Sequence, residues 1–259
     1  MLRLRSLAFN VAFYLWSVGL TLATLPFYFF LSQDKAMNVV RLWTSGMSWL
    51  LRTIAGTTYQ VRGLDNLPPG GALIACKHQS AWETLALVPI LPNPTYVMKA
   101  ELGRIPVFGA YTKKAGMIRI DRRGRTTALR ALAERARSEI AKGRQVVMFP
   151  EGTRRPPGAP PDFQSGIALL YKTLGVPIIP AALNSGLYWP RHKLTIHPGT
   201  IILEFLPPIP AGLDSRTFLD RLQSAIETAS DRLMAEAAEA SPAPPLSAEA
   251  ARRLAQRAG

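Results

Sequence analysis

Two kinds of apolar pattern divide the chain. From Leu7 to Leu31 no charged residue occurs, a run long enough for a membrane span, with Arg3 and Arg5 ahead of it. Pro26 divides this run and predicts a first helix of about 19 residues and ~28 Å ending there. Lys35 to Ile54 then carries Val39, Val40, Leu42, Trp43, Met47, Trp49, Leu50, Leu51 and Ile54, with Arg41 and Arg52 as its only charges after Lys35. It predicts a second, interfacial helix. A cleaved signal peptide fits poorly, because the stretch exceeds a usual h-region and no A-x-A-like site follows before Gln33-Asp34-Lys35. Cations at both ends of the first helix give no clear orientation. That favours two helices dipping into one leaflet with both ends on the same side, over a first helix spanning alone.

After Gly63 the pattern changes to short apolar runs punctuated by Gly and Pro and alternating with amphipathic stretches, which predicts α/β organisation. Strands are expected at Ala72–Cys76, Thr95–Met98, Met117–Ile120, Gln145–Phe149, Ile178–Leu183, Lys193–His197 and Ile201–Phe205. Leu129, Leu132, Ala133, Ala136 and Ile140 fall on one stripe of a helix from Thr126 to about Lys142, stopped by Gly143. A second helix is expected after Asp214, with Phe218, Leu219, Leu222, Ile226 and Leu233 at helical spacing. Ser241 to Gly259 reads as a Pro/Ala/Arg tail with little core material. The expected organisation is therefore 1–56 for membrane-anchoring helices, 57–240 for one α/β domain and 241–259 for the tail.

Composition sharpens this in one direction. Of 259 residues, 31 Lys and Arg against 17 Asp and Glu leave a net charge of +14, which favours an anionic partner. Nucleic acid, acidic protein, phosphate-bearing substrates and anionic lipid all fit. Cys76 is the single cysteine, so an intramolecular disulfide framework is excluded and a zinc ribbon or thiol pair disfavoured.

Four segments carry chemistry. Cys76-Lys77-His78-Gln79-Ser80-Ala81-Trp82-Glu83 stands where a buried strand ends and a helix begins. Residues five apart lie about 140° around a helix, so His78 and Glu83 meet only if the helix starts between them. Then Glu83 would hold His78 as a general base. The competing reading is a capping box in which Glu83 reaches back to the Ser80 amide. Cys76 reads as a small buried strand residue rather than a nucleophile. Gly116 to Arg123 is a strand that carries arginines out of its carboxyl end, with Arg122 a plausible phosphate clamp. Phe149-Pro150-Glu151-Gly152-Thr153-Arg154 turns sharply after another strand, bringing either a carboxylate and a guanidinium to a substrate or an internal Glu/Arg ion pair. Val176-Pro177-Ile178-Ile179-Pro180 opens an apolar strand whose prolines argue against a central position; ordinary core and the lining of a hydrocarbon tunnel are its two readings. Neither a G-x-x-x-x-G-K-[ST] loop nor a G-x-G-x-x-G fingerprint occurs, and there is no G-x-S-x-G elbow.

In this order the four segments resemble the 1-acyl-sn-glycerol-3-phosphate acyltransferases, over roughly Gly63 to Leu206. The family pattern is a histidine and an acid five apart, then G-x-I-x-I-D-R, F-P-E-G-T-R and V-P-I-x-P. The resemblance implies a mixed central sheet flanked by helices, His78 as the base on a free sn-2 hydroxyl and Glu83 as the carboxylate that orients it. It places Arg122, Glu151, Gly152, Thr153 and Arg154 at lysophospholipid-binding positions, and Val176, Pro177, Ile178 and Pro180 on the fourth block as the acyl-donor or tunnel candidates. It further implies no metal or cofactor, and an acyl thioester on coenzyme A or acyl carrier protein as donor. Two departures stand out: the usual acid is Asp rather than Glu83, and Arg155 replaces the serine that follows the F-P-E-G-T-R arginine in many relatives.

The expected activity is acyl transfer to lysophosphatidate, giving phosphatidate, at the cytoplasmic face of a bacterial-type inner membrane. Anionic membrane lipid is then the expected partner of the basic surface, and nucleic acid is not. Acylation of another lysolipid, such as a lyso-ornithine lipid, and a non-enzymatic basic membrane-anchored binding module are the alternatives. His192 and His197 have no acid at a telling spacing and are expected to be surface or strand residues.

Overall fold

The computed structural model describes residues 1–121 and 125–258. Seven strands form one sheet: β1 (Thr57–Arg62), β2 (Ala72–Cys76), β3 (Pro94–Lys99), β4 (Ile118–Ile120), β5 (Gln145–Met148), β6 (Ile178–Leu183) and β7 (Gly199–Phe205). Their order is β1-β7-β6-β2-β5-β3-β4. β6, β2, β5, β3 and β4 run parallel, β7 is antiparallel to β6, and β1 is parallel to β7. The sheet is thus mixed, as expected. Six of the seven expected strands form. The exception is Lys193–His197, which is irregular, and β1, not expected from the sequence, joins the edge instead.

Alternate residues of the buried strands feed two cores, as a period of two requires. Ile74, Cys76, Val147 and Ile179 face one way; Leu73, Ala75, Val146 and Ile178 face the other. On the second face lie α5 (Arg125–Ala141), α6 (Gly166–Leu174) and α8 (Ser215–Glu239), the last capped by Asp214 through the Arg216 and Thr217 amides. The stripe expected on α5 is the buried one, through Leu132, Ala133 and Ala136.

The first face is covered by α3 (Trp82–Ile90) and by two amino-terminal helices, α1 (Leu2–Tyr28) and α2 (Gln33–Leu50). α1 has 27 residues and passes Pro26, ending two residues later than a proline stop predicts. Because Arg5 Nε donates to Ile54 O at 2.7 Å, the start of α1 lies beside the end of the second helical segment, and the two form a hairpin. Trp16 Nε1 donates to Trp43 O and Trp43 Nε1 to Ser17 Oγ, both at 2.9 Å, tying the helices together. Phe9, Met37, Met47 and Leu51 are fully buried, each worth about 1.5–3 kcal/mol relative to exposure. The hairpin is therefore built into the core rather than tethered to it. The outer side of α1 is different: Leu4, Leu7, Val11, Tyr14, Leu15, Val18 and Leu22 are exposed at helical spacing. α1 is the one described helix long and apolar enough to cross a membrane.

Two expectations need correction. β6 is an interior strand, between β2 and β7, despite its prolines. Pro180 accepts from Leu206 N at 2.8 Å, and its missing N–H falls where the facing chain bulges through Leu206, Pro207 and Pro208 before Ile178 pairs with Ile209. The carboxyl-terminal segment is not a coreless tail, because α9 (Ala248–Ala258) docks on α8 with Ala250 fully buried.

Candidate active site

Five parallel strands share one carboxyl edge, where open α/β sheets bind ligands. The chain leaving β2 there carries His78, that leaving β5 carries Phe149 to Arg154, and that leaving β6 carries Ser185 at the start of the short α7 (Ser185–Tyr188). α3 begins at Trp82, so the helix does start between His78 and Glu83. His78 Nδ1 lies 2.8 Å from Glu83 Oε1. The same oxygen accepts from the amides of Gln79 and Ser80, each at 2.7 Å, and Oε2 accepts from Ser185 Oγ at 2.7 Å. The contact expected of each sequence reading of Glu83 is present: it reaches back to the Ser80 amide, although Ala81 rather than Ser80 is the N-cap residue of α3, and it holds the histidine. The two amides and the Ser185 hydroxyl donate, so the complementary form of Glu83 is the carboxylate, and against a carboxylate His78 is assigned its proton on Nδ1. That leaves the Nε2 lone pair to accept a proton. Phe149 stacks on the imidazole, with ring centroids 4.1 Å apart, and fixes the plane in which Nε2 points.

His78 lines a cavity of about 660 Å³, within the usual range for a small-molecule site. Its apolar wall comes from Val40 and Trp43 of α2, Leu85 and Val88 of α3, and Tyr96 and Met98 of β3, while Gly152, Thr153, Arg154, Lys99 and Arg191 supply polar groups. Gly152 makes the turn after β5 with φ +63°, a value that favours glycine, and its N–H reaches Phe149 O at 2.9 Å. Arg154 thereby faces the cavity. Arg191 Nη1 donates to Arg154 O at 2.8 Å, and Arg155 N donates to His78 O at 2.8 Å, so the two loops are tied to each other.

Other expected residues fall elsewhere. Glu151 is buried and pairs with Lys77 Nζ at 2.9 Å; Lys77 also reaches Glu227 Oε1 at 2.5 Å. The internal ion pair weighed from the sequence exists, but with Lys77 rather than Arg154 as its cation. Burial pushes the Glu151 carboxyl up, against the pull of Lys77, and Glu227 adds to the rise. Arg155 turns from the cavity to Pro160 O and Asp162. Val176, Pro177, Ile178 and Pro180 line no part of the cavity: Ile178 and Pro180 lie inside the sheet, and Pro177 is exposed. Arg122 lies outside the described residues. Cys76 is buried, and burial, then Glu83 and Glu151, push its thiol well up, which disfavours a nucleophilic thiolate. His192 is exposed and His197 half-buried, and neither lines the cavity.

Sequence reasoning missed Ser185, Lys77 and the α2 wall. Ser185 stands two residues after an expected strand, and the carboxyl end of a parallel strand was the available signal.

A model of the Acyltransferase family matches residues 58–184. The chain is 37% identical over 198 residues to the 1-acyl-sn-glycerol-3-phosphate acyltransferase of Pseudomonas aeruginosa, covering 76% of this chain and 77% of that one. It is 34% identical over 145 residues to the Escherichia coli protein of the same name, covering 54% and 57%. The crystal structure of the 1-acyl-sn-glycerophosphate acyltransferase from Thermotoga maritima superposes with a TM-score of 0.72 at 20% identity, covering 90% of this chain and 99% of that one, which shows a shared fold. Four ordered motifs, a mixed sheet that gathers three of them at one edge, and likeness over three-quarters of a bacterial relative lead to one assignment: the chain belongs to the 1-acyl-sn-glycerol-3-phosphate acyltransferase family.

Proposed function

We propose that the protein transfers an acyl group from a thioester, on coenzyme A or acyl carrier protein, to the sn-2 hydroxyl of 1-acyl-sn-glycerol 3-phosphate. The observation that carries this is the His78–Glu83 pair on the wall of an apolar cavity that also presents Arg154. His78 Nε2 takes the proton of the sn-2 hydroxyl as its oxygen attacks the thioester carbonyl, and Glu83 stabilises the imidazolium. The tetrahedral intermediate then collapses with loss of the thiolate, which receives the proton from His78. No enzyme nucleophile is needed. Cys76 is disfavoured by its raised thiol, and the Ser185 hydroxyl is committed to Glu83. Arg154 and, by family resemblance, Arg122 meet the phosphate, with Gly152 and Thr153 shaping the turn that presents it. Activation comes from the thioester itself, so the reaction requires neither metal nor cofactor. The exposed stripe of α1 supports seating in the cytoplasmic membrane with the sheet domain on the cytoplasmic side, where acceptor and product reside.

Purified protein is offered lysophosphatidate or a lyso-ornithine lipid, each with acyl-coenzyme A and acyl carrier protein thioesters. Phosphatidate formation is expected, with His78→Ala slower by at least about 10³-fold and still folded. A variant that keeps most of its turnover, or a preference for the lyso-ornithine acceptor, overturns the assignment.

A further inference from the structure

We propose that Ser185 is a positioning residue of this reaction, locking the Glu83 carboxylate so that His78 stays aligned. Glu83 is fully buried, and its oxygens are used unequally. Oε1 takes His78 Nδ1 and the amides of Gln79 and Ser80; Oε2 takes the Ser185 hydroxyl, at 2.7 Å. The three contacts on Oε1 come from the segment just ahead of α3, so they move with Glu83 itself. Ser185 alone among the described donors to Glu83 comes from a different part of the fold, 102 residues away, at the end of β6. It resists rotation of the carboxyl plane, which would carry Oε1 off the imidazole.

The surroundings hold Ser185 rigidly. The preceding Asn184 donates to Leu233 O at 3.1 Å and accepts from Ile202 N at 2.8 Å, anchoring the turn to α8 and β7. The following Gly186 donates to Gln79 Oε1 at 3.1 Å. A Cβ on Gly186 would come within 2.9 Å of Gln79 Cβ and 2.8 Å of Pro157 Cδ, so α7 is wedged directly against the loop that bears His78. Ser185 itself is fully buried. Without its hydroxyl, Oε2 of a buried carboxylate has no donor among the described residues.

This inference rests on the His78–Glu83 reading, and the experiment separates the two. Ser185→Ala, Glu83→Ala and the double variant are compared for kcat, for KM of each substrate and for melting temperature. Ser185→Ala is expected to lower kcat about ten- to a hundredfold with both KM values within about twofold. The double variant is expected to match Glu83→Ala, because a residue acting only through Glu83 has nothing left to position. Normal kcat in Ser185→Ala while His78→Ala is inactive overturns the role of Ser185 and leaves the base assignment standing. A multiplicative loss in the double variant also overturns it, as does a melting defect with kcat unchanged. Should Ser185→Ala fail to fold, Ser185→Cys keeps the volume with a much weaker donor and runs the same cycle. If His78→Ala itself retains turnover, both readings fall.

Discussion

A carboxylate has two oxygens and about four acceptor sites, and Glu83 uses four donors on them. The His78–Glu83 spacing and the need for a helix start between them were both legible in the sequence. What was not legible is that capping and catalytic readings are compatible; they compete only if one oxygen must serve a single donor. The buried cation is harder to read, since Lys77 meets Glu151 and Glu227 from 74 and 150 residues away. Lys77 directly follows β2, and its ammonium joins Glu151, on the turn after β5, to Glu227 of α8. Lys77→Met removes the cation and leaves two carboxylates buried side by side, which is expected to cost about 3–5 kcal/mol at neutral pH. The sign with pH follows from Glu151. Its folded-state value is raised, by burial first, so the folded state favours the protonated acid, an advantage fully present below the ordinary glutamate range and lost as pH rises through the raised value. With the opposing pull of Lys77 gone, that value rises further. Thermal melts should show the deficit of Lys77→Met largest near pH 8 and shrinking towards pH 5; a deficit that does not vary with pH would remove the buried carboxylates as its cause.

At the scale of elements, apolar runs bounded by turn residues located β2 to β7 well, because their apolar positions are buried: β2 and β6 throughout, β5 over most of its length, and β4 in a buried–exposed–buried alternation. β1 escaped because it is an edge strand, Thr-Thr-Tyr-Gln-Val-Arg, with only Thr57 buried, and its pairing with β7 supplies what its own pattern lacks. Lys193–His197 has a strand-like alternation but packs against the start of α1, where Ser6 Oγ and Asn10 Nδ2 hydrogen-bond to the Ile196 and Leu194 carbonyls. α9 was hidden by composition, since Ala and Arg offer little apolar signal. Its attachment is largely ionic: Arg253 Nε and Arg257 Nε lie 3.0 and 2.7 Å from Asp231 Oδ2. These arginines are partly exposed and each contributes no more than about 1 kcal/mol, with a further small share from buried Ala250. Ending the chain after Ser247 is expected to cost about 2 kcal/mol, or roughly 4–8 °C in melting temperature. Differential scanning calorimetry reads this directly, and an unchanged melting temperature would show that α9 does not hold α8 in place.

For the whole molecule, the proposed anchor and the cavity are one construction. α2 turns Val40, Trp43 and Thr44 towards the cavity, while α1 covers its other side and presents Leu7, Val11, Leu15, Val18 and Leu22 outward. The net charge of +14 adds attraction to anionic lipid, but that part is screened by salt, whereas burial of the apolar stripe is not. Leu15 and Leu22 are 69% and 66% exposed, so replacing both with Asp leaves the core intact. Each aspartate placed in hydrocarbon costs about 2.5–3.5 kcal/mol, and the pair should weaken partitioning by more than about 10³-fold. In vesicle flotation, wild-type protein is expected to rise with vesicles of anionic lipid and to stay with them largely in 0.5 M salt, on the scale of a Debye length near ~4 Å. The Leu15→Asp/Leu22→Asp variant is expected to stay at the bottom of the gradient while turning over detergent-dispersed lysophosphatidate at the wild-type rate. Flotation of that variant equal to wild type would place the membrane contact elsewhere; release of the wild type by salt alone would make the contact electrostatic and leave the α1 stripe without a role in it.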